Sequence, residues 1–191
     1  AGGNQLSATW DSLRASGPSN QRFNSASSPL FLSRNSDYVI PVFKSCFIRP
    51  GTSCAKDKLK DVNLSNADLT DMDFTGANLQ RARLAGATLN NTNFTDAFLK
   101  GAVFSGATGA NTQLGARSLA DANFSQVRLE DPKATGTSFL RSSWKKAYVE
   151  KGDFSSSNFY KSNFEGATIK NTDMRATKLR GASWKGGTVS G

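Results

Sequence analysis

Large apolar residues recur at every fifth position through most of the chain. The stretch "NLSNADLTDMDFTGANL" contains four of them, from Leu64 to Leu79. The same frame runs unbroken from Leu59 to Val189, and of its 27 positions only Gly109 and Ala134 are not Leu, Phe, Ile, Val, Met or Trp. An α-helix predicts an apolar period of about 3.6 residues and a β-strand a period of about two. A period of five predicts neither element.

A second regularity accompanies the first. Two residues before each apolar position the residue is Ala, Ser, Thr or Gly at 21 of the 27 positions. The six exceptions are Asp57, Val62, Met72, Arg117, Val127 and Pro132. One large and one small side chain therefore point inward in every five residues. Such a chain turns a corner every five residues, and its coils must stack to bury their inward side chains, with about 4.8 Å between neighbouring backbones.

The repeated runs "ADLTD", "ANLQR", "ARLAG" and "ANFSQ" closely resemble the pentapeptide-repeat family, whose motif is A(D/N)LXX. The resemblance implies an all-β fold, a right-handed quadrilateral β-helix with four pentapeptides per coil, over residues 57–191. Four repeats per coil sort the inward residues into four columns. The first column is Leu59, Leu79, Leu99, Leu119, Phe139, Phe159 and Leu179. Gly109 and Ala134 interrupt the columns, and the sequence leaves open a side pocket or a local bulge there.

Residues 1–56 do not carry the repeat and are expected to form an extended, irregular N-terminal segment. They contain four of the five prolines and many Ser and Asn residues, a composition that does not build a core. The run "PLFLSRNSDYVIPVF" is apolar enough to cover the open N-terminal end of the β-helix, and the residues before it are expected to bind a partner or to lie along the solenoid. The start Ala1-Gly2-Gly3, without Met, indicates a processed N-terminus.

Cys46 and Cys54 are the only cysteines, and they flank "FIRPGTS". A disulfide between them would close a short loop, contribute about 2–3 kcal/mol and indicate an oxidising compartment. Two free thiols are the alternative. Cys54 also lies five residues before Leu59, so it is a candidate for an inward position of the first coil.

The composition argues against an enzyme and against a bound cofactor or metal ion. The chain contains no histidine, which removes the commonest general acid–base group and the commonest metal ligand. Two cysteines without histidine do not complete a zinc site. Carboxylate pairs such as Asp71 and Asp73 lie on corners expected to be solvated, and the glycines recur at corners rather than in a phosphate-binding loop.

Several large apolar residues fall at outward positions and are candidates for protein binding. Phe98, Leu140 and Tyr160 flank the first column, and Val103 lies beside them. A contiguous exposed apolar patch marks a partner site, whereas scattered apolar surface residues carry no function. The repeat also continues in frame to Val189, so Trp184 is expected to be exposed on the last coil and covered by a partner or a second copy.

Charge is distributed unevenly along a chain whose net charge is +9. Residues 127–191 hold 12 basic and 6 acidic residues. The expected basic surface comprises Arg141, Lys145, Lys146, Lys151 and Lys161. Such a surface suits acidic protein, an anionic membrane surface or nucleic acid, and a solvated surface without a partner is the alternative.

These observations favour a non-catalytic structural or assembly subunit that docks on protein subunits of a larger, membrane-bound complex. The family that the chain resembles is abundant in cyanobacteria and in the thylakoid lumen. The resemblance thus implies a photosynthetic complex and a lumenal location in chloroplasts, or the lumen or periplasm of cyanobacteria. A nucleic-acid-related binding protein that uses the basic C-terminal half is the alternative. Family members that mimic DNA and protect DNA gyrase require an acidic rod, so the positive charge disfavours that function.

Overall fold

A computed structural model describes residues 30–32, 40–43 and 46–191 of the chain. Regular structure in these ranges is entirely β. The strands are β1 (Leu30–Leu32), β2 (Ile40–Phe43), β3 (Cys46–Phe47), β4 (Thr108–Ala110), β5 (Arg128–Glu130), β6 (Tyr148–Glu150), β7 (Thr168–Lys170) and β8 (Thr188–Ser190). Within the described ranges, nothing helical is long and apolar enough to traverse a lipid bilayer.

The backbone forms a β-solenoid with 20 residues in each coil, which confirms the predicted fold. Parallel β-bridges join residues 20 positions apart, from Ser53–Asp73 to Asn163–Ser183. Because the inward residues recur every five positions, a coil of 20 residues has four sides. The ladder begins at Ser53, four residues before the start of the repeat expected from the sequence.

At most corners the chain makes a tight turn in which the third residue has a positive φ. The turn at residues 74–77 is an example. The N–H of Ala77 donates to the carbonyl oxygen of Phe74 at 2.9 Å, and Gly76, the third residue, has a φ of 66°. This combination is that of a type II turn. Positive φ values recur at every fifth residue from Gly51 to Gly191, except at Ala116. The non-glycine residues at these corners are often Asn or Asp, which tolerate this conformation best.

The inward side chains form one continuous core along the solenoid axis. The large residues of the repeat are almost fully buried from Leu59 to Ile169, as are the small residues that precede them, except Ala67. Aromatic rings stack from coil to coil in the second column of inward residues, which begins at Leu64. Their order is Phe104, Phe124, Trp144, Phe164 and Trp184. Burial of each large side chain contributes about 1.5–3 kcal/mol, so the stacked coils stabilise one another.

The third side of the solenoid, whose inward residues include Leu69, Leu89 and Leu129, changes its hydrogen bonding at Gly109. At Leu89 a turn is still closed by the N–H of Thr92, at 3.2 Å. From Gly109 onward this side forms the five-stranded parallel sheet β4–β8, with Gly109 paired to Leu129. A Cβ atom on Gly109 would lie only 2.6 Å from Oγ1 of Thr112 and 2.9 Å from Cβ of Leu89. The missing inward side chain therefore leaves no pocket, because its neighbours fill the space.

The second interruption of the inward columns, at Ala134, also leaves no pocket. Ala134 is fully buried, and the hydroxyl of Ser157 in the next coil donates to its carbonyl oxygen at 2.6 Å. Pro132 is buried against Gly152, where an added Cβ would lie 3.0 Å from the proline ring. Proline is tolerated here because this side of the solenoid does not use a turn N–H at that position.

The N-terminal part contains strands that the sequence analysis did not predict. β1, β2 and β3 form an antiparallel sheet in that order, with Leu30 opposite Val42 and Val42 opposite Phe47. The N-terminal segment, which was expected to be extended and irregular, contains these three short strands in its described ranges. The strands were not predicted because the segment is rich in proline, and Pro41 lies in the middle strand, where proline is rare. The side chains expected to cover the end of the solenoid, and the partner-binding tail, lie outside the described residues.

Candidate docking surface

The outward residue that precedes each large inward residue has a specific hydrogen-bonding role. In the repeat at 77–81, the N–H of Ala77 closes a turn and three other N–H groups donate to neighbouring coils. The remaining N–H, that of Gln80, donates to Oδ1 of Asn78 at 3.2 Å. An Asn, Asp or Ser side chain accepts the equivalent bond at 12 corners of the described chain. This local capping explains why the repeat favours Asp or Asn before the apolar residue.

Phe98 and Val103 occupy this capping position in two consecutive repeats. They are the two wholly apolar residues at this position between Ser53 and Thr188. Phe98 is 38% exposed and Val103 is partly exposed. They lie on either side of one corner, and within the described residues the N–H groups of Lys100 and Ser105 find no side-chain acceptor. Both repeats therefore present an apolar group at the position where 12 other repeats present a corner cap.

Leu140 and Tyr160 lie at the same edge of the solenoid in later coils. The N–H of Arg141 donates to the carbonyl oxygen of Tyr160 at 2.9 Å, so the corners of these two residues are stacked in successive coils. Both side chains are half-buried. We call this edge, defined by Phe98, Val103, Leu140 and Tyr160 with the corner residues between them, the first edge. It is not the contiguous patch expected from the sequence, because the coil that contains Ala120 and Asp121 separates Val103 from Leu140.

An irregular corner places a cation beside Phe98. Arg117 stands where the repeat calls for a small inward residue, and Ala116 is buried in its place. The N–H of Arg117 accordingly donates to the carbonyl oxygen of Ala97, at 3.0 Å. The guanidinium carbon of Arg117 lies 5.3 Å from the ring centroid of Phe98, within the range of a cation–π contact.

The expected basic surface is divided among three corners and partly neutralised. Arg141 forms a bidentate pair with Asp121 on the first edge, at 2.7 and 2.9 Å. Lys145 pairs with Glu165 at 3.0 Å at the corner that follows the second column, and Lys151 pairs with Glu130 at 3.1 Å at the corner that follows the third column. The five cations therefore do not share one face, whereas the sequence analysis expected them to form a single basic surface. Lys146 and Lys161 have no ion pair among the described residues.

Lys161 contacts an aromatic ring instead of a carboxylate. Its Nζ atom lies 5.2 Å from the ring centroid of Tyr160. The first edge thus carries two cation–π contacts, at Phe98 and at Tyr160. These contacts hold the cations against the apolar side chains of the edge.

The described carboxyl groups with a displaced pKa are all more acidic than usual. Six carboxyl groups have a clearly displaced pKa, and each is displaced downward. The largest displacement lowers the pKa of Asp173 to about 2, through hydrogen bonds from the side chain and backbone of Arg175. A hydrogen bond from Arg141 likewise lowers the pKa of Asp121. In the described chain these groups stay ionised near neutral pH, whereas a general acid needs a raised pKa.

Cys46 and Cys54 are joined by a disulfide in the structure, with their Cα atoms 5.1 Å apart. Both are buried, and Cys54 occupies an inward position at the start of the solenoid. A carboxylate oxygen of Asp57 and both sulfur atoms lie within 4.8 Å of one another. This group does not form a zinc site, because sulfur atoms bonded to each other are not thiolate ligands.

Trp184 belongs to the least buried coil of the described chain. Its indole stacks on the ring of Phe164 with centroids 4.1 Å apart, and its exposure is intermediate. Val189 is 57% exposed. Trp184 lies on the second column and is not brought together with the first edge.

Comparison with protein families identifies the repeat. The profile described as "Pentapeptide repeats" matches in 8 copies over residues 58–96, 82–115 and 145–183, which together make up more than half of the chain. The chain belongs to the pentapeptide-repeat family. Proteins of this family are generally non-catalytic binding or structural proteins, and they are typically not enzymes.

Solved structures of other pentapeptide-repeat proteins resemble the chain at low identity. One is trypsin-treated QnrB1, a plasmid-mediated fluoroquinolone resistance protein, with 16% identity, a TM-score of 0.45, and coverage of 73% of this chain and 88% of that one. HetL from the cyanobacterium Nostoc, involved in regulating heterocyst differentiation, has 20% identity, a TM-score of 0.30, and coverage of 72% and 76%. A protein from the thylakoid lumen of Arabidopsis thaliana has 21% identity, a TM-score of 0.21, and coverage of 67% and 71%. Comparison with curated protein sequences finds no significant match.

Three cations of this pentapeptide-repeat protein lie on or beside the first edge but were not singled out from the sequence. They are Lys100, Arg117 and Arg180. Lys100 and Arg180 occupy the corner position shared with Leu140 and Tyr160, so the 20-residue spacing was a signal that identifies them. Arg117 was visible only as an exception to the small-residue rule, and its contact with Phe98 depends on the shifted corner.

Proposed function

We propose that this pentapeptide-repeat protein is a structural or assembly subunit that docks on a larger protein complex. The observation that carries the proposal is the substitution of two corner caps by Phe98 and Val103, in consecutive repeats and on a solvated edge. Both backbones pair with neighbouring coils, but neither side chain accepts a corner N–H. A surface that gives up local stabilisation in favour of exposed apolar groups is characteristic of a binding site.

For the location of this complex we propose the lumenal side of a photosynthetic membrane. A disulfide that ties Cys46 to Cys54 suits an oxidising compartment, since cytosolic thiols are kept reduced. The positive net charge of +9 suits acidic subunits or an anionic membrane surface near the docking site. A partner that is approached through charge is bound in a salt-dependent manner.

Fractionation of native membranes tests this function. Thylakoid membranes solubilised in mild detergent are separated on a density gradient, and the protein is detected with an antibody. We expect it to migrate in a fixed ratio with the subunits of one large complex at low salt, and to be released by high salt. Migration at the size of the free chain under all conditions would contradict docking. Retention on duplex DNA together with that result would favour the nucleic-acid alternative.

A further inference from the structure

The length of the first edge matches that of a short extended peptide. Phe98 lies three coils before the coil of Tyr160, since residues 20 apart are paired from one coil to the next. At about 4.8 Å per coil, the edge from Phe98 to Tyr160 is about 15 Å long. An extended chain rises about 3.3 Å per residue, so about five or six residues cover this length.

The charge that remains available along the first edge is positive. Asp121, the acidic residue in the middle of the edge, is already held by Arg141 in a bidentate pair. Lys100, Lys161 and Arg180 are exposed and form no ion pair within the described part of the chain.

Arg117 adds a fourth cation that is only weakly paired. Its nearest carboxylate, on Asp96, lies 4.0 Å away, and both side chains are more than 60% exposed. Exposed pairs of this kind contribute little, so Arg117 remains able to bind an incoming carboxylate. A complementary partner therefore carries carboxylates.

We propose that the first edge binds a short, extended acidic segment of a partner protein. This inference rests on the proposed docking function and specifies its surface. Apolar side chains of the segment pack on Phe98, Val103, Leu140 and Tyr160, and its carboxylates pair with the cations that flank them.

A protein segment fits this edge better than a membrane or a nucleic acid. Leu140 and Tyr160 are half-buried between neighbouring corners, so they do not project far enough to enter the acyl region of a bilayer, several ångströms below the headgroups. A nucleic-acid backbone would pair with the cations but would leave Val103 and Leu140 without apolar contacts. An acidic segment with apolar residues satisfies both groups.

The capping pattern supplies a variant that separates binding from folding. Phe98→Asn and Val103→Asn place at both positions the residue that caps equivalent corners elsewhere in the solenoid. The new side chains can accept the N–H groups of Lys100 and Ser105, which offsets the apolar contact that is lost. The double variant is therefore expected to fold with an unfolding midpoint close to that of the wild type. Thr88→Asn, at the same repeat position on the third side, is the matched control.

Fluorescence anisotropy on the full chain tests the proposal. The probe is a labelled 12-residue peptide of three Leu-Asp-Asp-Leu repeats, and the control peptide replaces each Asp by Asn. Phosphatidylcholine vesicles with one quarter phosphatidylglycerol, and a 20-base-pair DNA duplex, are tested in parallel. We expect salt-sensitive binding of the acidic peptide. The affinity should fall about fivefold or more in the Phe98→Asn/Val103→Asn variant and in Lys161→Gln/Arg180→Gln, and should not change in Thr88→Asn.

Three results would overturn the inference. They are equal binding of the acidic and the Asn peptides, affinities in the edge variants equal to that of the wild type, and binding to vesicles or DNA without binding to the peptide. The gradient experiment distinguishes this failure from failure of the function. Migration of the double variant with the complex, like the wild type, would retain docking and assign it to another surface. Absence of the wild type from any complex would reject docking itself.

Discussion

Phe124 and Trp144 stack in the core with their ring centroids 4.3 Å apart and their planes within 6° of parallel. They occupy equivalent positions of successive coils, and Phe104 and Phe164 extend the stack on either side. Each ring is therefore packed between the rings of the coils before and after it. A defect in one coil removes contacts from both neighbours, so the inward residues are expected to be the least tolerant positions of the chain.

The substitution Phe124→Asp is expected to unfold the solenoid. It removes a fully buried ring, at a cost of about 3–5 kcal/mol, and adds a charge that has no partner in the core. Asn123→Asp is the matched control, because this neighbouring side chain faces outward and its Oδ1 caps Ser125, a role that Asp also fills. Circular dichroism and thermal unfolding measure both. A cooperatively folded Phe124→Asp variant would refute the assignment of the core.

The substitution Ser142→Ala is expected to destabilise the protein by about 1–3 kcal/mol. The hydroxyl oxygen of Ser142 accepts the indole N–H of Trp144 at 2.8 Å in the buried core, and it also contacts the hydroxyl of Ser162 at 3.1 Å. Alanine would leave the indole N–H without an acceptor. Ser142→Thr keeps the hydroxyl and is expected to lose less. Urea denaturation compares both variants with the wild type, and an Ala variant as stable as the wild type would show that the bond contributes nothing.

The substitution Gly109→Ala is expected to destabilise the third side by about 1–3 kcal/mol, because the new methyl group overlaps Thr112 and Leu89. The hydroxyl of Thr112 would also be displaced from its bond to the carbonyl oxygen of Leu89, at 2.9 Å. Gly115→Ala is the control, since no atom lies within 4 Å of the added methyl group. Thermal unfolding should separate the two variants. If both unfold at the same temperature, Gly109 is not required by close packing.

Mature protein isolated without reductant is expected to contain the Cys46–Cys54 disulfide. Its mass should be about 2 Da below that of the reduced chain, and it should not react with an alkylating reagent before reduction. Cys46→Ser/Cys54→Ser is expected to lose about 2–3 kcal/mol of stability, because the short loop is no longer closed. Two alkylatable thiols in the native protein would contradict both the bond and the argument for an oxidising compartment.

The core was predictable from the sequence because one physical requirement repeats in every coil. Leu64 and its successors must be inward for coils to bury apolar area, and this requirement fixes the register over the whole solenoid. The strands at Leu30–Leu32 and Ile40–Phe43 were not predicted. The two strands are three and four residues long, too short for a clear period of two, and Pro41 within the second argues against a strand there.

The candidate site was only partly predictable. Outward apolar residues such as Phe98 and Leu140 stand out once the frame is known. The bidentate pair of Arg141 with Asp121 depends on side-chain geometry, and this pair removes one of the expected free cations. The contact of Arg117 with Phe98 depends on a corner shifted by one residue, which a regular repeat does not predict.

Site-specific photo-crosslinking tests docking through the first edge most directly. A benzophenone amino acid replaces Leu140 in the full chain, and a control chain carries it at Thr88 on the third side. Both are incubated with native thylakoid membranes, illuminated and analysed by mass spectrometry. We predict that the chain labelled at Leu140 crosslinks, at low salt and not at high salt, to a segment of one membrane-complex subunit that contains both acidic and apolar residues. The chain labelled at Thr88 is predicted not to crosslink to this segment. Equal crosslinking from both positions, or none from Leu140 while the protein remains in the complex, would contradict docking through this edge.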